Sequence, residues 1–299
     1  MVFYENKLVL FMKKLLILFI IFIFVLTGCA IPQTAQIATS TMPVAEFTAY
    51  ICKGTDLTVS QLITEEISCL HDYSVQVSQM RSVENAEVIV ISGAGLEDFL
   101  NDTLKNAEHI IDASVDIPLI CQDGHSHHHE AHHHEEDPHI WLSPKNAMQM
   151  SRNICQQLCI RYPEHTEQFK SNLNGLLQQL NDLQKYGEET LEHLASRDLI
   201  TFHDGFSYFA ECYDLTILKS IEEESGSEAS AQDLLELIKL VDDNHIPAIF
   251  VEANGSRSAA EIVKRETGVK IYTLDMAISG ESYFDAMYKN IDTIKEALG

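Results

Sequence analysis

The apolar and polar positions change period repeatedly along the chain, and the changes mark alternating strands and helices. Residues 87–92 (EVIVIS) form the short, β-branched run that a parallel strand buried on both faces produces. Around it the pattern predicts a strand over 48–52, a helix over 56–67, a short helix over 96–105 and a strand over 109–113. Ser143 followed by Pro144 opens a further helix, the serine able to cap free N–H groups and the proline fitting the first turn. Over 164–195, Phe169, Leu173, Leu176, Leu180, Leu183 and Leu191 recur at helical spacing, which predicts one amphipathic helix of roughly 45 Å. Strands over 199–202, 216–219, 248–252 and 270–274 then alternate with helices over 205–213, 229–242 and 258–267, before a closing helix from Tyr283. The expected fold class is α/β, with two similar α/β lobes (45–163 and 197–299) joined by one long backbone helix over 164–196.

The first 44 residues follow another logic. Lys13 and Lys14 precede twelve apolar residues, LLILFIIFIFVL, too few to span a bilayer comfortably but suited to the core of a signal peptide. Leu26-Thr27-Gly28-Cys29 resembles a bacterial lipobox, so residues 1–28 are expected to be a signal peptide and Cys29 the lipidated residue. The competing reading is an uncleaved anchor helix extended by residues 8–11. Met12 is the more natural start, since MKKLLILF then opens the signal directly. Residues 29–44, small and aperiodic, read as a tether, and the expected location is the extracytoplasmic face of a bacterial membrane. Export permits disulfides among Cys52, Cys69, Cys121, Cys155, Cys159 and Cys212. Cys155 and Cys159, one helical turn apart, fit either a bridge or two buried thiols.

Composition narrows the function. With 20 Lys and Arg against 45 Asp and Glu, the net charge of −25 excludes a phosphate-tracking nucleic-acid surface. Neither a glycine-rich phosphate loop nor a G-x-S-x-G elbow follows any expected strand. The anomaly is the 14 histidines. His125, His127, His128, His129, His132, His133 and His134 crowd an aperiodic segment, HSHHHEAHHHEED, within an expected loop over 122–138. Such a run chelates divalent ions without preorganisation, as an auxiliary metal loop, or it is a solvated acidic loop with incidental affinity.

Just beyond it, Asp137 to Pro144 reads DPHIWLSP, with His139 fixed between a proline and a helix start and the sole tryptophan two residues on. This stretch resembles the signature of the metal-binding lipoproteins and periplasmic proteins that feed zinc and manganese ABC transporters, a cluster that includes adhesin-like lipoproteins. QMRSVENAE (79–87), SGAGLE (92–97), FHDGFSYF (202–209), EAS (228–230) and TGVKIYTLD (267–275) extend the resemblance over nearly all of the chain after the tether.

The resemblance implies a metal site in the cleft between lobes, with one group from each of four strand ends: His71, His139, His203 and Asp275. Three imidazoles and a carboxylate suit tetrahedral zinc, whereas a carboxylate at the third position would favour manganese. His71 departs from the family in lacking flanking prolines, and Asp275 in lacking the proline that often follows. Glu252, ending the AIFVE run, is a candidate to orient a ligating histidine. The implied function is non-catalytic: capture of Zn2+ by a monomeric lipoprotein and delivery to an ABC permease. A manganese-type protein, a surface adhesin without a transporter, and a zinc hydrolase are the competing classes, and no H-E-x-x-H motif supports the last.

Overall fold

The chain enters its first sheet earlier than the sequence pattern implies. In the computed structural model, which describes residues 35–67, 70, 73–105, 107–121, 136–222, 229–280 and 282–299, β1 (Ile37–Thr39) is wholly buried. It pairs in parallel with both β2 (Val59–Gln61) and β3 (Val88–Ile91). The tether expected to reach residue 44 therefore overlaps the central strand of the first lobe. The segment expected as a strand over 48–52 is instead the end of α1 (Met42–Cys52). Thr41 in extended conformation and Pro43 in the first turn start this helix, and Val44, Phe47, Thr48 and Ile51 form one buried helical stripe. The helix expected over 56–67 is also absent; its middle is the edge strand β2.

The remainder of the first lobe follows the pattern. α2 (Val77–Asn85) leads into β3, and a 3-10 turn (Asp98–Leu100) with α3 (Asn101–Leu104) precedes β4 (Ile110–Asp112). The sheet order is β2-β1-β3-β4, all parallel. A second 3-10 turn (Ile140–Leu142) then delivers the chain to α4 (Pro144–Arg161), whose cap Ser143 accepts from the Asn146 N–H at 3.4 Å.

The linking helix, α5, runs over Thr166–Thr190, 25 residues or about 37 Å, and stops short of the expected residue 196. Pro163 confines 163–165 to a 3-10 turn. At the other end the Arg197 guanidinium binds the carbonyls of Leu191, Glu192, Tyr213 and Asp214, closing the terminus and turning the chain into the second lobe. α5 touches both lobes: Asn172 donates to the carbonyls of Ile51 and Lys53, and Tyr186 donates to Asp292 at 2.6 Å.

The second lobe repeats the first. β5 (Asp198–His203), α6 (Ser207–Cys212), β6 (Thr216–Glu222), α7 (Ala231–Asn244), β7 (Ala248–Glu252), α8 (Ser258–Thr267), β8 (Lys270–Leu274) and α9 (Tyr283–Leu298) follow in turn. The sheet order, β6-β5-β7-β8, is again all parallel. One hydrophobic cluster runs from Ile37 to Leu298 through Trp141, Phe206 and Tyr283 and so belongs to both lobes; a smaller one backs β5, β7 and β8.

Candidate metal centre

Parallel sheets present their carboxyl ends to ligands, because the connecting loops there are free of packing duties. His203 is the last residue of β5, Glu252 the last of β7, and Asp275 follows β8 directly. His139 comes from the first lobe, immediately before the 3-10 turn that enters α4. His71, in the segment after β2, lies outside the described residues, as do the histidine run at 125–134 and Cys29.

His139 and His203 meet. Their ring centroids are 5.2 Å apart with the planes at 88°, and the residues are 1% and 4% exposed. The backbone at Gly205 lies against both: a Cβ there would stand 2.9 Å from His203 Cδ2 and 3.0 Å from His139 Cε1. Each ring turns its Nδ1 to a carboxylate. His139 Nδ1 is 2.9 Å from Asp137 Oδ1, which also accepts from the His139 backbone N–H at 2.9 Å. His203 Nδ1 is 3.4 Å from Glu252 Oε1. A carboxylate at Nδ1 keeps the proton there and leaves Nε2 as the lone-pair nitrogen, the arrangement that ligating histidines use. Burial would raise the Asp137 pKa, but the hydrogen bond and charge of His139 outweigh it and hold this carboxyl below the usual range.

Trp141 walls the site from the side of the first lobe. It is fully buried, lies edge-on to His139 at 5.4 Å, and donates from Nε1 to Met276 O at 2.8 Å, which fixes the residue after Asp275. Asp275 is tied into its own turn, with Oδ1 accepting from the Ala277 N–H at 2.8 Å and its backbone held by Asn290. Among the described residues, no three His, Cys, Asp or Glu side chains stand close enough to hold an ion. Of the four expected ligands the structure thus brings two together, His139 and His203.

Asp137 and Gly205 join the site beyond the residues expected from the sequence. Asp137 had a signal, an acid two residues before a candidate ligand, where its side chain reaches the backbone N–H at i+2 in an Asx turn. Cys155 and Cys159 are free thiols with sulfurs 4.0 Å apart; burial pushes Cys155 up to about 12.

The family model described as ZnuA, zinc-uptake complex component A, periplasmic, matches residues 37–297. The zinc-binding lipoprotein AdcA of Streptococcus pneumoniae is 31% identical over 281 residues, which cover 87% of this chain and 55% of that protein. A putative metal-binding protein of Treponema pallidum is 30% identical over 241 residues, 76% of each. The crystal structure of ZnuA superposes with a TM-score of 0.77 at 27% identity, covering 89% of this chain and all of that one. The chain spans between half and two thirds of the length of the AdcA relatives it matches. On the match over 37–297, the chain belongs to the ZnuA family, the periplasmic component A of zinc-uptake complexes.

Proposed function

We propose that this protein captures Zn2+ outside the cytoplasm and passes it to the permease of an ABC importer, as a monomer held to the membrane by a lipid on Cys29. The observation that carries the reading is the buried, perpendicular pair His139 and His203, each with Nδ1 against a carboxylate. Two imidazoles preorganised side by side, each backed by a carboxylate, are half of a tetrahedral zinc shell. His71 and Asp275 supply the other half, and Glu252 and Asp137 orient the rings.

Zinc is favoured over manganese because imidazole nitrogen suits the borderline ion and the stability order runs the same way. Metal analysis of protein purified without affinity resin, followed by competition titration, tests the reading. Zinc bound far more tightly than manganese, with that affinity lost in His139→Ala and His203→Ala, is the expected result. Equal affinities, or wild-type binding by both variants, would overturn it.

A further inference from the structure

The described residues on either side of positions 122–135, the sequence span that carries the seven clustered histidines, come together as a short antiparallel stem. Cys121 pairs with Glu136 as an antiparallel bridge, and one step further into the fold the Asp137 N–H donates to Ile120 O at 2.9 Å. In a closed antiparallel pair Ile120 N–H would return the bond to Asp137 O. Here the hydroxyl of Tyr208 is inserted instead. It accepts from the Ile120 N–H at 3.0 Å and donates to Asp137 O at 2.9 Å, in a residue only 2% exposed.

Tyr208 belongs to α6, which starts four residues after His203, so this hydroxyl comes from the opposite lobe. Asp137, whose carbonyl it holds, is the residue whose side chain grips both the backbone and Nδ1 of His139. One phenolic oxygen therefore connects the stem, the holder of His139 and the segment that follows His203.

From this juxtaposition we infer that Tyr208 is a positioning residue for the metal centre: by holding the Ile120 N–H and Asp137 O one oxygen atom apart, while the reverse bond stays direct, it sets the place of Asp137 and through it the orientation of the His139 ring towards His203. The inference rests on the zinc reading above. Without the hydroxyl, Ile120 N–H and Asp137 O are free to bond directly, which draws Asp137 towards the stem and turns its carboxylate away from His139.

The test is Tyr208→Phe in the full chain, with Tyr186→Phe as the control that removes an exposed hydroxyl far from the stem. The variant is expected to fold with a melting temperature close to that of the wild type. It should bind zinc about tenfold more weakly, in line with loss of support behind a ligating histidine. The visible bands of Co2+ bound in place of zinc should shift, a change that a purely structural loss would not produce; Tyr186→Phe should match the wild type in all three. Unchanged zinc affinity and cobalt bands in Tyr208→Phe, while His139→Ala abolishes tight binding, would overturn the role of Tyr208 and leave the zinc reading standing. Wild-type binding by His139→Ala would overturn the zinc reading itself. Hydrogen exchange needs no variant: the Ile120 amide should be protected in the metal-free wild type, and rapid exchange there would also overturn the inference.

Discussion

Asp137→Asn separates orientation of His139 from ligation by it. The side chain is fully buried, and its Oδ1 takes two bonds from one residue, the His139 N–H and Nδ1, both at 2.9 Å. Asparagine has the same shape and keeps an acceptor for both, so the fold should survive with a small loss. The charge does not survive. A hydrogen bond to a carboxylate contributes about 1.5–3 kcal/mol and one to a neutral amide about 0.5–1.5, a difference of roughly 1–2 kcal/mol. Zinc binding sharpens this difference, because an imidazole bonded to a cation holds its remaining proton more weakly and leans harder on its acceptor. At 1.4 kcal/mol per decade, the affinity should fall between about five- and thirtyfold, overlapping the range seen when support behind a metal-bound histidine is removed. Competition against a chromophoric chelator measures the change directly. Affinity within twofold of the wild type, in a variant whose thermal stability is lowered, would show that Asp137 serves folding and has no bearing on the ligand.

Trp141→Phe leaves Met276 O without its donor and opens a void beside His139; about 2–4 kcal/mol of stability should go, or roughly 5–15 °C of melting temperature by calorimetry, and retention of the wild-type Tm would refute the role given to the indole. Burial raises Glu97 to about 7 from an ordinary value of 4.5, so its proton is bound more tightly in the folded state; the stability it contributes is complete below pH 4.5 and is lost as pH climbs through 7, about 3 kcal/mol in all, and Glu97→Gln should flatten the pH dependence of melting across that window. Removing residues 125–134 leaves four residues to join Cys121 and Glu136, enough for a hairpin turn, and should abolish weak zinc sites while sparing the tight one; loss of the tight site on titration would contradict this. Small-angle scattering with and without zinc should give the same radius of gyration within error, and a clear compaction would show that the lobes close.

Legibility in the sequence followed the length of each run and the clarity of its period. The strands over 248–252 and 270–274 and the helix over 258–267 match the structure residue for residue, because each is a long enough run of one period with a clear break on either side. β1 carries only Ile37, Ala38 and Thr39, too short for any period to register, and its neighbours are the same small residues that build a tether. α1 was misread because TAYIC, taken alone, has the β-branched and aromatic content of a strand, and only the wider spacing from Val44 to Ile51 reveals the helical face. The 56–67 segment spaces its apolar residues like a helix, yet sheet pairing with β1 decided its form, the usual outcome where tertiary contacts outweigh a weak local preference. In the site, His139 and His203 stood out by motif. The contacts of Asp137, Gly205 and Tyr208 with these histidines or their holder depend on which segments the fold brings together, and spacing along the chain does not encode that.

The way the lobes are joined bears on how cargo enters. Met42 N–H donates to Ile278 O, Ser279 exchanges hydrogen bonds with both backbone groups of Ile67, and Trp141 is bonded to Met276 at one end and Tyr283 at the other. Glu46, on α1, accepts from the Tyr283 N–H at 2.6 Å and so caps α9 from the opposite lobe. Parting the lobes would break these bonds, expose the cluster that includes Trp141 and Phe206, and bend α5 against its own hydrogen-bonded ladder. Rearranging a loop at a strand end costs far less, since few buried contacts are lost. On the proposed zinc reading, an ion would therefore meet His139 and His203 already held in place on the joined body, without any parting of the lobes.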